Sequence, residues 1–257
     1  MRKGYKMHRF FEANIKPTDQ KTVLTNENFL HARALRLKFG EHVILCDGAE
    51  NDYYCMVTSA SKANVELKII CVQKNTSEPN IDVTLFQALP KGKKMNDIIE
   101  NCVPLGVSAV VPIVTARCIA NIDTNIDNKE LTKIDRWRKT SEAAAKQSGR
   151  GIIPIIKQIT KIEDAVGQAK NFGTTFACYE SEDKLSLKEY LTNSLSEKPG
   201  SIAFFIGPEG GFTDYEISLF KNAGISTVSL GPRIMRTELA PAAVLAAIAY
   251  ATEKGVL

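Results

Sequence analysis

The stretch SIAFFIGPEGGFTDYEISLF, residues 201–220, decides the fold. Ile202, Ala203, Phe204, Phe205 and Ile206 form an unbroken apolar run, which suits a strand covered on both faces, as in a parallel sheet. Gly207-Pro208-Glu209-Gly210-Gly211 ends that run, and Thr213 with Glu216 three positions on is capping-box chemistry for a helix. In an open parallel sheet, ligands bind just beyond the carboxyl ends of the strands, so the 207–212 turn is the first place to look for a site. Its glycines let the backbone approach a ligand closely. The spacing is neither G-x-G-x-x-G nor a phosphate loop ending in Gly-Lys-Ser/Thr, which disfavours a Rossmann dehydrogenase and a nucleoside triphosphatase.

The same alternation extends outward. Strands are expected at 82–87, 109–114, 152–156, 174–179 and 227–230, with helices at 94–105, 128–148, 162–170, 187–194, 213–223 and 241–253. This pattern means a mainly parallel α/β sheet. A second unusual turn follows 227–230, on what reads as a neighbouring strand: Gly231-Pro232-Arg233-Ile234-Met235-Arg236-Thr237-Glu238-Leu239. It places a cation, a hydroxyl and a carboxylate at the start of an apolar helix, where Thr237 and Glu238 could equally serve as cap and dipole partner.

Upstream the rhythm changes. His42–Cys46 and Tyr53–Thr58 flank the turn residues of 47–52 as a hairpin, and 64–72 adds a strand, so the front of the chain reads as a small β-barrel. A short helix is expected over 28–39, stopped by Gly40. The polar stretch QKNTSEPNI, 73–81, is the linker, dividing the chain into domains at 1–72 and 73–257.

The 257 residues carry 33 Lys and Arg against 29 Asp and Glu, a net charge of +4, with ordinary apolar content; disordered and fibrous classes are excluded. Residues 1–40 are strongly basic (Arg2, Lys3, Lys6, Arg9, Lys16, Lys21, Arg33, Arg36 and Lys38 against Glu12, Asp19 and Glu27) and are interleaved with Tyr5, His8, Phe10, Phe11 and Phe29. Cations beside aromatics suit phosphate contacts and base stacking in RNA. No apolar run has signal or membrane-span length, so a cytoplasmic protein with no membrane partner is expected. The six cysteines and three histidines show no ligand spacing; no metal is expected, and each cysteine reads as a small buried residue.

HRFF at 8–11, QALPKG at 87–92 with Met95, LGV at 105–107, QSGR at 147–150 with Pro154, IGPEGGF at 206–212, and LGPRI at 230–234 followed by RTE at 236–238 stand in one order along the chain. In these residues the sequence resembles the ribosomal RNA small subunit methyltransferase E family, the 16S rRNA (uracil-N3)-methyltransferases of the SPOUT superfamily. The resemblance implies a PUA-like RNA-binding barrel, a C-terminal domain with a trefoil knot, and a homodimer. It implies S-adenosylmethionine as cofactor, held by Gly207, Glu209, Gly210, Gly211, Leu230, Gly231, Ile234, Met235 and Ala240. The partner it implies is 16S rRNA in the small ribosomal subunit or its precursor, met by His8, Arg9, Phe10, Arg33, Arg36 and Lys91. Leu239 departs from the threonine frequent after this glutamate.

Methylating uracil at N3 requires loss of an imide proton, and a guanidinium would stabilise the charge that develops on the carbonyl oxygens. Arg236 is the first candidate and Arg9 the second; Glu238 or Glu209 would accept the proton or orient an arginine. Two other readings remain: a SPOUT methyltransferase acting on another RNA target, and a non-catalytic RNA-binding protein of the same fold.

Overall fold

The computed structural model describes residues 7–49, 51–118, 128–196 and 200–253; Arg2, Lys3, Tyr5 and Lys6 of the basic arm lie outside them. The chain forms two units: one runs to Glu78 and also takes in Ala145–Ile153, and the other holds Pro79–Ala144 and the chain from Pro154 onward.

The first unit contains β1 (His8–Phe11), β2 (Lys21–Leu24), α1 (Asn26–Ala34), β3 (His42–Cys46), β4 (Asn51–Ala60) and β5 (Val65–Lys74). These strands make one sheet in the order β1-β3-β4-β5-β2, with β1 parallel to β3 and the other pairs antiparallel. Phe10, Leu24, Val43, Leu45, Tyr53, Val57, Val65 and Leu67 fill its core.

Three expectations change here. The helix ends at Ala34 rather than at Phe39, because Arg36 takes φ 56° and closes a Schellman motif. Leu37 N–H donates to Ala32 O at 3.2 Å and Arg36 N–H to Arg33 O at 3.0 Å, while Leu37 is buried. The start of the expected linker belongs to β5, which continues to Lys74, and the first unit extends to Glu78. Segment 145–153 joins this unit through polar bonds that no local pattern announces. Asn75 Nδ2 and Ser77 Oγ donate to Gly149 O at 3.3 and 2.9 Å, and Glu78 accepts from Arg150 Nη2 and from the N–H groups of Gly151 and Ile152 at 2.7, 2.8 and 3.1 Å.

The second unit contains β6 (Asp82–Ala88), α2 (Lys94–Cys102), β7 (Ala109–Val114), most of α3 (Asn128–Ser148), β8 (Ile155–Ile156), β9 (Thr160–Lys161) and α4 (Ile162–Ala169). After these come β10 (Thr174–Cys178), α5 (Leu187–Ser196), β11 (Ser201–Ile206), α6 (Asp214–Asn222), β12 (Ser226–Val228) and α7 (Ala240–Thr252). The sheet is parallel throughout, in the order β12-β10-β11-β6-β7-β8, with β9 also on β7. The strands β6, β7 and β11 are almost wholly buried, as their apolar runs require. Phe86 stacks on Phe205 at 4.5 Å between centroids, and Phe205 packs on Phe220 of α6 at 4.9 Å.

The expected adjacency of the two loop-bearing strands is corrected: β10 lies between β11 and β12. The loops after β12, β10 and β11 therefore leave side by side at one end of the sheet.

Candidate active site

The loops after β10, β11 and β12 line one open cleft of about 1010 Å³, large for a small-molecule site. All nine residues named for the cofactor line it: Gly207, Glu209, Gly210, Gly211, Leu230, Gly231, Ile234, Met235 and Ala240. Arg236 and Glu238 line it as well. Ile234 is 90% exposed there, an apolar side chain presented to the opening rather than to the core.

The glycine-rich loop is built by its own close contacts. A Cβ on Gly207 would sit 3.3 Å from the Gly211 backbone, where the loop folds back on itself. Gly211 has φ +68°, and a Cβ there would run into the Glu180 carboxylate. Arg117 Nη1 donates to Gly210 O at 2.6 Å and to Phe212 O at 3.3 Å. At the far end Thr213 and Glu216 form the expected capping box of α6, and Glu216 Oε1 also accepts from Ala116 N–H at 2.8 Å. A buried carboxylate satisfied this way fixes the direction in which the loop leaves β11.

Thr237 is not a helix cap; Leu239 occupies that position, with no side-chain bond. Thr237 is buried, and its hydroxyl donates to Gly207 O at 2.7 Å while accepting from Gln87 Nε2 at 3.1 Å. The second loop is thus pinned to the first by the Thr237 hydroxyl, which is itself held by a fully buried glutamine at the end of β6.

Glu209 and Glu238, left as alternatives by the sequence, meet at one cation. Lys94 Nζ, from the first residue of α2, lies 3.0 Å from Glu209 Oε1 and 3.2 Å from Glu238 Oε2. Lys91 N–H donates to the same Glu209 oxygen at 3.1 Å. Both carboxyls titrate below their ordinary value: for Glu209, bonds to Lys94 and the main chain outweigh partial burial, and for Glu238 main-chain bonding leads, with Lys94 and Arg236 adding. The Lys94 ammonium is held above its ordinary value by the two carboxylates. Depressed carboxyl values make weak bases at neutral pH.

The loop after β10 was missed. Tyr179, Glu180, Glu182, Asp183, Lys184 and Ser186 all line the cleft. The available signal was a run of charges, YESEDK, directly behind an apolar strand. Glu182 is held by Thr227 Oγ1 and by Lys184 N–H, which with other main-chain donors lowers its titration. Lys94, Gln87 and Arg117 were also missed as site-builders, since each acts on residues far away in sequence.

The nucleic-acid candidates divide. His8, Arg33 and Arg36 are exposed in the first unit, and Lys91 is exposed in the second. Phe10 is fully buried, because β1 turns alternate side chains inward, so its ring is core rather than a stacking platform. Arg9, the second catalytic candidate and an RNA-contacting one, has its guanidinium engaged inside the first unit. Its Nη1 and Nη2 donate to Asp52 Oδ1 and Oδ2 at 2.7 and 2.9 Å, and Nη1 also reaches Cys46 Sγ at 2.7 Å, with side chains 10% and 7% exposed for Arg9 and Asp52. Cys46 therefore sits in a polar network, its thiol pushed up to about 12 mainly by burial, and Cys71 is exposed; neither fits the uniform buried-apolar expectation. Among the described residues no group of His, Cys, Asp or Glu could hold a metal ion, and no helix is long and apolar enough to cross a membrane.

Residues 76–249 match the model of an RNA methyltransferase domain, and 24–70 match that of an RNA methyltransferase PUA domain. The ribosomal RNA small subunit methyltransferase E of Bacillus subtilis is 32% identical over 234 residues, covering 90% of each chain. The chain belongs to the ribosomal RNA small subunit methyltransferase E family. A member from Neisseria gonorrhoeae, solved bound to S-adenosyl methionine, superposes with a TM-score of 0.84 at 28% identity, covering 95% of this chain and 97% of that one. A methyltransferase of Legionella pneumophila in complex with the same cofactor gives 0.85 at 28% identity, covering 95% and 98%. In this family member the matched methyltransferase segment holds the whole cleft, from Lys94 to Ala240.

Proposed function

We propose that the chain uses S-adenosylmethionine to methylate N3 of a uridine in 16S rRNA of the small subunit or its precursor. The observation that carries this reading is the convergence of all nine cofactor candidates with Arg236 and Glu238 on one cleft. The fit to the cofactor is chemical as well as spatial: glycine-lined walls admit an adenosyl group, exposed Ile234 offers apolar contact, and Glu180, Glu209 and Glu238 suit a cation. When bound, the cofactor supplies a methyl group on a sulfonium sulfur, electrophilic enough to need no metal.

The protein's task is then to position two partners and favour the uracil imidate. The base gives its N3 proton to water, N3 forms the new bond to carbon, and the pair of the broken carbon–sulfur bond leaves on sulfur as a neutral thioether. Arg236 is the cation for the carbonyl oxygen charge. N3 is hidden in a Watson–Crick pair, so the target is single-stranded or flipped out. His8, Arg33, Arg36 and Lys91 contact RNA phosphates in this reading. Knotting of the three cleft loops, a homodimer and a cytoplasmic location belong to the same proposal.

Two measurements test it. Titration of S-adenosylmethionine into the purified protein should release heat; none, with RNA binding intact, would favour a non-catalytic RNA-binding protein. Nucleoside mass spectrometry of rRNA from a deletion strain should show loss of 3-methyluridine, and its retention would point to another target.

A further inference from the structure

One ammonium holding two carboxylates in an open cleft asks for an explanation other than stability. Lys94, Glu209 and Glu238 are 34%, 26% and 24% exposed, and ion pairs so solvated contribute little to folding. They also come from three separate places: the start of α2, the loop after β11, and the turn before α7. The trio carries a net charge of −1, against −2 without the lysine. That difference matters because the reaction proposed above has opposite electrostatic needs at one spot. A cationic donor is favoured by negative charge, whereas a base shedding its N3 proton becomes an anion that negative charge repels.

Resting on that reading of the cleft, we propose that Lys94 is a positioning residue that acts through Glu209 and Glu238, cancelling one of their charges so that the wall can hold a sulfonium and still admit a uracil imidate. From the loop after β12, Arg236 acts on Glu238, and Arg233 lines the same cleft. Glu180, Glu182, Asp183, Lys184 and Glu189 line the same cleft, a net negative set to which Lys94 is the countercharge contributed by α2. The held-down titration of both glutamates and the raised ammonium agree with a trio that stays fully ionised through the neutral range.

The test uses the full chain, S-adenosylmethionine and small-subunit RNA, with the variants Lys94→Met, Lys94→Arg and Lys94→Met/Glu209→Gln. Lys94→Met should fold with a melting midpoint within about 2 °C of the parent's, bind the donor within about threefold of the parent, and transfer methyl roughly 100-fold more slowly, the scale of losing one electrostatic stabiliser. Its single-turnover rate should climb with pH to a higher value than the parent's before levelling, because the imidate is harder to form. Lys94→Arg should recover rate and pH profile. The double variant, which returns the pair to −1, should regain at least about tenfold over Lys94→Met. Parental rate and profile in Lys94→Met would overturn the inference, and so would a slow Lys94→Met whose profile is unshifted and whose double variant is no faster. Absence of donor binding in the parent would instead overturn the reading of the cleft itself.

Discussion

Arg9 and Lys94 are each a cation set between partners, yet one belongs to folding and the other to the cleft. Arg9 meets Asp52 in two short bonds with both side chains nearly sealed, and Asp52 accepts further from Asn75 Nδ2 at 3.0 Å. Lys94 meets Glu209 and Glu238 where water reaches all three. Burial decides the use. A sealed pair is intolerant of losing one member, because the survivor is an uncompensated charge, whereas a solvated trio is free to serve chemistry.

The largest effect expected from this contrast is on stability. Asp52→Ala should cost about 3–5 kcal/mol in denaturant unfolding. Replacing both members, Arg9→Met with Asp52→Leu, should cost far less; equal losses would mean the pair acts through packing alone. Next, Arg236→Ala should lower methyl transfer by roughly 100- to 1000-fold while leaving the unfolding midpoint unchanged, as a cleft-facing cation requires. Thr237→Val removes the hydroxyl shared by Gly207 O and Gln87 Nε2, and should cost about 1–3 kcal/mol from the polar groups it orphans, with weakened donor binding seen by calorimetry. Arg33→Ala with Arg36→Ala should reduce the slope of log RNA affinity against log salt by about 1 to 2 without touching donor affinity.

The smallest effect is a pH dependence of the trio. Glu209 and Glu238 are depressed below 4.5, so what their pairing contributes is complete above that value and fades as pH falls through the lowered ones. Lys94 is raised above 10.5, so its share is complete below that value and fades as pH rises through the higher one. The difference in melting midpoint between the parent and Glu209→Gln should therefore be flat from pH 5 to 10 and shrink outside it.

Sequence pattern carried the local structure well where side-chain period and burial coincide. The runs at 109–114, 128–148 and 201–206 are elements with those bounds, and the Thr213–Glu216 box is formed. It could not carry strand order, because nothing in 174–230 says that β10 inserts between β11 and β12, and the third loop went unread for that reason. Nor could it distinguish Arg9 from Arg236: the partner that seals Arg9 lies 43 positions away. Helix α1 failed on a single residue, since an arginine in left-handed backbone is a stop that glycine counting does not detect.

The return of 145–153 to the first unit bears on how the molecule is made. Asn75, Ser77 and Glu78 are finished long before Gly149 and Arg150 leave the ribosome, so during synthesis the amino-terminal unit must wait, with those polar groups in water, for a segment encoded far downstream. A nascent chain released at residue 78 would lack its own closing clasp, and a gene split at that point would not give two self-sufficient halves.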